Sequence, residues 1–332
     1  MTVPKEVAAA LGCLAAVFIA AAVGFPPARA RQGGQAPPSP QPTAQVRGVG
    51  RQSAGHAIRL LQESGTVETL PLEEYVQGVV TAEMPASFQP AALEAQAVCA
   101  RTYAMSRAQA GAHGAEADVC SDPGCCQAYA ANAPGDWGPH TEEYRAKIRA
   151  AVQATQGQVL RSEGKLISAV FHASSAGYTA PAQAVWGAEV PYLVSVSTPE
   201  TPETVPKLES EATFSTAEFR DVFLAKYPEA DLAGSPSGWF GSLEKAGWGG
   251  VTTVTIGGVT LTGSQVRGLF GLRSARFDVA AGDDSVTFHV SGYGHGVGMS
   301  QYGANVLAAG GMDYKEILTW YYSGTTVDIW TE

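Results

Sequence analysis

Basic side chains are scarce in this chain: 21 Lys and Arg stand against 31 Asp and Glu, for a net charge of −10. No stripe of Lys and Arg offsets that balance, so the electrostatic footprint of a nucleic-acid binder is missing and no nucleic acid is expected as partner. Cysteine is rare as well, with five in 332 residues. Four lie beyond the N-terminal segment, and Cys120, Cys125 and Cys126 crowd into seven residues, an odd framework for disulfides. No G-x-S-x-G elbow marks a serine hydrolase. No internal repeat is visible. After the N-terminus no apolar run reaches membrane-spanning length.

What is present begins with export. Lys5 precedes 19 uncharged residues, Val7 to Phe25, and Ala28-Arg29-Ala30 follows. That run can just cross a bilayer, and the tripeptide also reads as a signal-peptidase site, so residues 1–30 are a membrane anchor or a cleaved signal. Either one puts the remainder outside the cytoplasm, anchored at the membrane or secreted. Residues 31–50, rich in Pro, Gln and Gly, bury too little to order themselves and read as a linker. Residues 51–332 are left as the body, and an apolar content of 45% suffices for a sizeable core.

Periodicity organises that body. "LEEYVQGVVTAE" has helical spacing and should stop near Met84, because Pro85 disfavours the α region for the residue before it. Ser87 looks like the N-cap of a long Ala-rich helix expected to be central. "YRAKIRAAVQATQG" is a third helix stopped by Gly157, and "QVLRSEGKLISAVFHA" two strands around Glu163-Gly164. "STAEFRDVFLAKY" opens with a capping box, Ser215 to Glu218. "VTTVTIGGVTLTG" is a hairpin, "DDSVTFHV" a strand, and "MDYKEILTWYY" a helix capped by Asp313. The fold class predicted is α+β and two-lobed. The larger mixed lobe takes about 51–199 and 291–332, the inserted smaller lobe about 200–290, with a cleft between them or on the larger lobe.

Three stretches could carry chemistry. Glu83 ends an apolar helix beside Val79, Val80 and Met84, and a carboxyl partly removed from water has a raised pKa suited to a general acid. The alternative is a helix-end glutamate facing solvent. His113, Cys120, Cys125 and Cys126 lie within fourteen residues, a donor set for tetrahedral zinc with no position left open for water, hence a structural staple. A Cys120–Cys125 or Cys120–Cys126 disulfide is the competing reading. "FHASSAGYT" places His172, Ser174 and Ser175 after a strand, a plausible polar wall. Finally, "SGYGHGVGMSQYGA" surrounds His295 with five glycines and sets Gln301 at a helix start. Such density allows positive φ or lets something approach the backbone closely.

Taken together, "EEYVQGVVTAEMPASFQPAALEAQAVCARTYA", "VWGAEVPYLVSV" and "GYGHGVGMSQYGANVLAAGG" resemble the stage II sporulation protein D family, which includes the amidase-enhancer proteins of bacterial cell walls. The likeness runs from about Leu72 to Thr325. It implies a lytic transglycosylase that cuts the β-1,4 bond between N-acetylmuramic acid and N-acetylglucosamine in glycan stripped of stem peptides, leaving 1,6-anhydro ends. Glu83 stands at the family's catalytic acid and Arg101 at its functional arginine. His172, Ser174, Ser175, Tyr192, His295 and Gln301 are then candidates for substrate binding. Partners implied are peptidoglycan strands, an amidase of the stage II sporulation protein P type, and a scaffold of the protein M type in the membrane. Relatives that bind metal show a histidine where Cys125 stands; relatives in general usually show a glycine at Ala176 and commonly a lysine at Val194. A non-catalytic glycan binder that stimulates an amidase would use the same cleft, and a Ser or zinc hydrolase is a third option.

Overall fold

A computed structural model describes residues 56–330; the N-terminal segment 1–30 and the linker 31–50 lie outside the described residues. Eight α-helices and several small sheets make an α+β fold among those residues. A hairpin, Ala57–Leu61 with Val67–Pro71, leads directly into α1 (Leu72–Glu83). Glu73 and Glu74 occupy the first turn of α1, where negative charge suits the helix dipole. Its end is set by Pro85, which leaves Met84 extended at φ −117° and ψ 135°.

Next comes α2 (Pro90–Gln109), with proline at its first turn, where the missing N–H costs nothing. Ser87 does not cap it. Residues 85–88 form their own turn, Phe88 N–H to Pro85 O at 3.0 Å, so Gln89 precedes the helix and gives its N–H to Asn305 Oδ1 at 2.8 Å. Twelve of the twenty residues of α2 are buried on all sides, which fits a helix at the centre of a core. Helix α3 (Thr141–Ala154) packs against it, and Gly157 follows with φ +71°.

The strand pair predicted around Glu163-Gly164 exists, Gln158–Ser162 with Lys165–Leu166, and both turn residues have positive φ. Its second strand stops early. Ser168 N–H is taken by the Tyr192 hydroxyl, and the Val170 carbonyl by the Tyr322 hydroxyl and Met299 N–H. With those groups diverted, Phe171–His172 instead pairs in parallel with Met299–Ser300.

The remaining helices are α4 (Ala182–Trp186), α5 (Thr216–Lys226), α6 (Gly263–Phe270), α7 (Gln301–Ala309) and α8 (Tyr314–Tyr321). Capping boxes open α5 at Ser215, α6 at Thr262 and α8 at Asp313; those at Ser215 and Asp313 stand where the sequence placed caps. The Val251–Ile256 and Val259–Leu261 hairpin turns at Gly257-Gly258 as expected.

Buried apolar side chains fall into two clusters. One gathers around α2 and takes in α1, α3 and α8. The other, built on aromatic rings such as Phe219, Phe223, Phe270 and Phe288, joins α5 and α6 to two antiparallel sheets. Val297 and Met299, past the last strand of the second cluster, belong to the first.

Candidate functional site

The end of α1 is where chemistry becomes possible. Because Met84 leaves the helix, the Glu83 side chain faces a cleft of about 510 Å³. Tyr103, residues 123–127, residues 170–173, Trp186, Arg267, residues 293–295 and Gln301 complete its lining. Glu83 is the one carboxyl among those described residues. Its carboxyl is pushed up to about 7 by burial, against which the Ala128 N–H and the Gln301 side chain favour the ionised form. The Ala128 N–H donates to Glu83 Oε1 at 2.7 Å. A carboxyl near 7 holds a proton and can also take one back at neutral pH.

The glycine loop supplies the facing wall, and its approach is to the chain itself. At Gly294, φ +107°, an added Cβ would come within 2.7 Å of His172 Cβ. At Gly298, φ +72°, it would meet the Val170 carbonyl oxygen at 2.1 Å. Only glycine permits both the backbone angle and the contact. The segment it approaches is Val170–His172, not the one carrying Glu83.

Imidazoles line this wall: the His295 ring lies 5.7 Å from His172 and 5.3 Å from the half-exposed Trp186 ring, tilted against both. Burial holds His172 well below its ordinary value and pushes His295 down to about 4, so both are neutral. A neutral His172 donates from Nδ1 to the Val297 carbonyl at 3.1 Å and accepts the Ser175 hydroxyl at Nε2, at 2.6 Å. His295 Nδ1 accepts the Val297 N–H at 3.0 Å, which leaves its proton on Nε2. Gln301 is the first residue of α7, behind the N-cap Ser300, and its amide lies against Gln96 as well as the cleft.

Four candidates sit elsewhere. Arg101 is fully buried, its Nε and Nη2 paired with Glu73 at 3.0 and 2.5 Å and Nη1 bonded to the Gln158 carbonyl, so it holds α1 to α2 and the following strand. Contact with substrate is closed to it. Tyr192 accepts the Ser168 N–H at 3.0 Å and packs on the first apolar cluster, not on the cleft. Ser174 and Ser175 are buried behind the cleft; Ser174 exchanges backbone hydrogen bonds with Tyr293, and His172 is bonded to Ser175. Among the described residues, the hydrogen-bonded His172–Ser175 pair is buried and not exposed for nucleophilic attack.

Two residues of consequence gave no signal in the sequence reading. Trp186 offers a half-exposed ring at the cleft, a surface for the apolar face of a sugar. Glu200 is buried beneath the wall, accepting the Ser175 N–H at 3.0 Å and the Thr198 and Ser300 hydroxyls. Burial pushes it up to about 7 as well.

The sulfur cluster forms the other wall. The donor atoms of His113, Cys120, Cys125 and Cys126 all lie within 4.8 Å of one another, and the four described cysteines are free thiols. Three sulfurs and one ring nitrogen at that spacing suit a tetrahedral zinc ion, with every ligand from the protein. Cys125 supplies one of those donor atoms. Cys125 and Cys126 line the cleft, and Ala128, two residues on, supplies the N–H to Glu83.

A lone carboxyl in a cleft lined by imidazole and indole rings, on an α+β body with three cysteines and a histidine gathered beside it, describes a class that sequence comparison identifies. The family model described as "Stage II sporulation protein" matches residues 61–161. The stage II sporulation protein D of Bacillus subtilis (strain 168) is 39% identical over 266 residues, 79% of this chain and 76% of that protein. The stage II sporulation protein D of Bacillus amyloliquefaciens is 37% identical over 79% of this chain and 75% of its own. The chain belongs to the stage II sporulation protein D family. An amidase enhancer of Bacillus subtilis is 28% identical over 76% of this chain and 40% of its own length.

Proposed function

We propose that this protein is a peptidoglycan lytic transglycosylase, cutting the β-1,4 bond between N-acetylmuramic acid and N-acetylglucosamine in strands stripped of stem peptides. One observation carries the reading: the cleft has a single carboxyl, Glu83, with its pKa raised to about 7. Hydrolysis of a glycoside ordinarily needs two carboxyls, an acid and a base or nucleophile. Intramolecular transfer needs one. Glu83 gives its proton to the glycosidic oxygen as the bond to the anomeric carbon breaks. The muramic 6-hydroxyl then attacks that carbon, and its proton returns to Glu83. The products are a free 4-hydroxyl and a 1,6-anhydro ring, with no water consumed. The Trp186 ring and the neutral imidazole of His295 would shape the sugar site.

Zinc, held by His113, Cys120, Cys125 and Cys126, would be a closed structural ion that fixes the loop presenting the Ala128 N–H. The names of the relatives support a role in sporulation and a link to cell-wall amidases; we further propose septal wall remodelling or engulfment as the setting and a membrane scaffold as a further partner. Residues 1–30 would tether the enzyme outside the cytoplasmic membrane.

The amidase-enhancer relative favours a second reading, a non-catalytic glycan binder that stimulates an amidase. Digestion of amidase-treated strands separates the two. Cleavage by the protein and none by Glu83→Gln supports the enzyme. Glycan binding and amidase stimulation without cleavage by either leaves the binder standing.

A further inference from the structure

Among the described residues lining the cleft, Arg267 is the one cation and Glu83 the one acid. Arg267 projects from α6, an element of the second apolar cluster, into a cleft otherwise built from the first. Its Nε donates to the Arg273 carbonyl at 3.3 Å, and that same carbonyl receives the Gly294 N–H at 2.9 Å. The guanidinium is thereby pinned to the glycine loop. Its Nη groups have no hydrogen bond or ion pair among the described residues. A half-buried arginine without a carboxylate is an unanswered charge, and its planar fork matches a carboxylate in two parallel bonds.

Position matters as much as charge. Arg267 is among the groups that disfavour the charged forms of His172 and His295, so it stands at the imidazole end. The Glu83 shift is set by burial, with the Ala128 N–H and the Gln301 side chain against it. The cleft thus carries a cation as well as a proton donor.

We propose that Arg267 forms a carboxylate subsite that receives the free 3-O-lactyl carboxylate of a muramic acid residue and so sets the register of the strand across Glu83. The proposal rests on the glycan reading of the cleft. A peptide-free strand alternates two N-acetylated sugars joined by β-1,4 bonds, and its only permanent charge is the lactyl carboxylate on every second ring. A stem peptide converts that group into a neutral, bulky amide. Reading the carboxylate therefore chooses one linkage of each two and rejects strands that still carry peptide at that ring.

The test uses the full-length chain with Glu83→Gln, to stop turnover, and calorimetric titration with peptide-free strands. A second preparation of the same strands has its lactyl carboxylates converted chemically to primary amides. The acid form should bind about 10- to 100-fold more tightly, the range of one charge-assisted pair. Adding Arg267→Gln should erase that difference, and Arg267→Lys should retain part of it. Equal affinity for the two strand forms overturns the subsite while leaving the glycan reading intact, and needs no Arg267 variant. A preference that survives Arg267→Gln also overturns it. No binding of either strand overturns both readings.

Discussion

Glu83 and Glu200 are both pushed up to about 7 by burial, yet their surroundings differ in kind. Glu200 is 1% exposed, and three donors fill its oxygens: the Ser175 N–H and the Thr198 and Ser300 hydroxyls. Glu83 opens onto the cleft, bonded to the Ala128 N–H and near the Gln301 amide. A raised pKa is therefore no mark of catalysis. It marks burial, and access to a ligand decides whether the proton can be used. Glu200 spends its oxygens on structure, tying the end of the His172 wall to the cap of α7.

Substitution should separate the two acids. The largest effect is expected at Glu83. Glu83→Gln should lower strand cleavage by about 10²- to 10⁴-fold, the usual range for a lost general acid, with unfolding unchanged within about 1 kcal/mol. Glu200→Ala should reverse that pattern. It leaves three donors without their acceptor, so denaturant unfolding should show a loss of roughly 3 kcal/mol, while residual cleavage keeps the wild-type pH profile. Cleavage destroyed by Glu200→Ala in a stably folded protein would erase the distinction.

Acidity sharpens it further. An acid whose folded pKa lies above its unfolded value keeps its proton longer when folded. Glu200, with an ordinary value of 4.5 and a folded value of about 7, therefore favours folding most below about 4.5. That advantage disappears as pH rises to about 7, a change on the order of 3 kcal/mol. Glu200→Gln should remove about half of this slope, because Glu83 carries the same shift, whereas the alkaline limb of the rate profile, near pH 7, belongs to Glu83 alone.

Smaller effects should come from the walls. Metal analysis is expected to find one zinc per chain. Chelation should release three reactive thiols and lower cleavage about tenfold, roughly one charge-assisted hydrogen bond, as the loop before Ala128 slackens. Least of all, Gln301→Leu should move the alkaline limb upward by about half a pH unit or less, since its amide only weakly favours ionised Glu83.

Local signals were legible and distant ones were not. Pro85 announced the end of α1, Ser215 and Asp313 their helices, and Gly257-Gly258 a hairpin, because each acts within a few residues. Glu83 among apolar neighbours and the crowded cysteines were visible for the same reason. Glu200 lies in a Thr- and Pro-rich crossing, and its partner Ser300 is a hundred residues away. Arg101 resembled a ligand-binding arginine until Glu73, 28 residues earlier, appeared against it. Phe171–His172 looked continuous with the preceding hairpin, since the Tyr192 and Tyr322 hydroxyls that divert the backbone come from remote segments. Even Ser87 failed as a cap through a competing local turn.

Product mass tests the central claim most directly. Peptide-free strands digested in ¹⁸O-labelled water and resolved by mass spectrometry should yield muramic ends one water lighter than hydrolysis gives, with no label, and none of them from Glu83→Gln. Labelled reducing ends, or the same anhydro ends from Glu83→Gln, would contradict a single carboxyl acting first as acid and then as base.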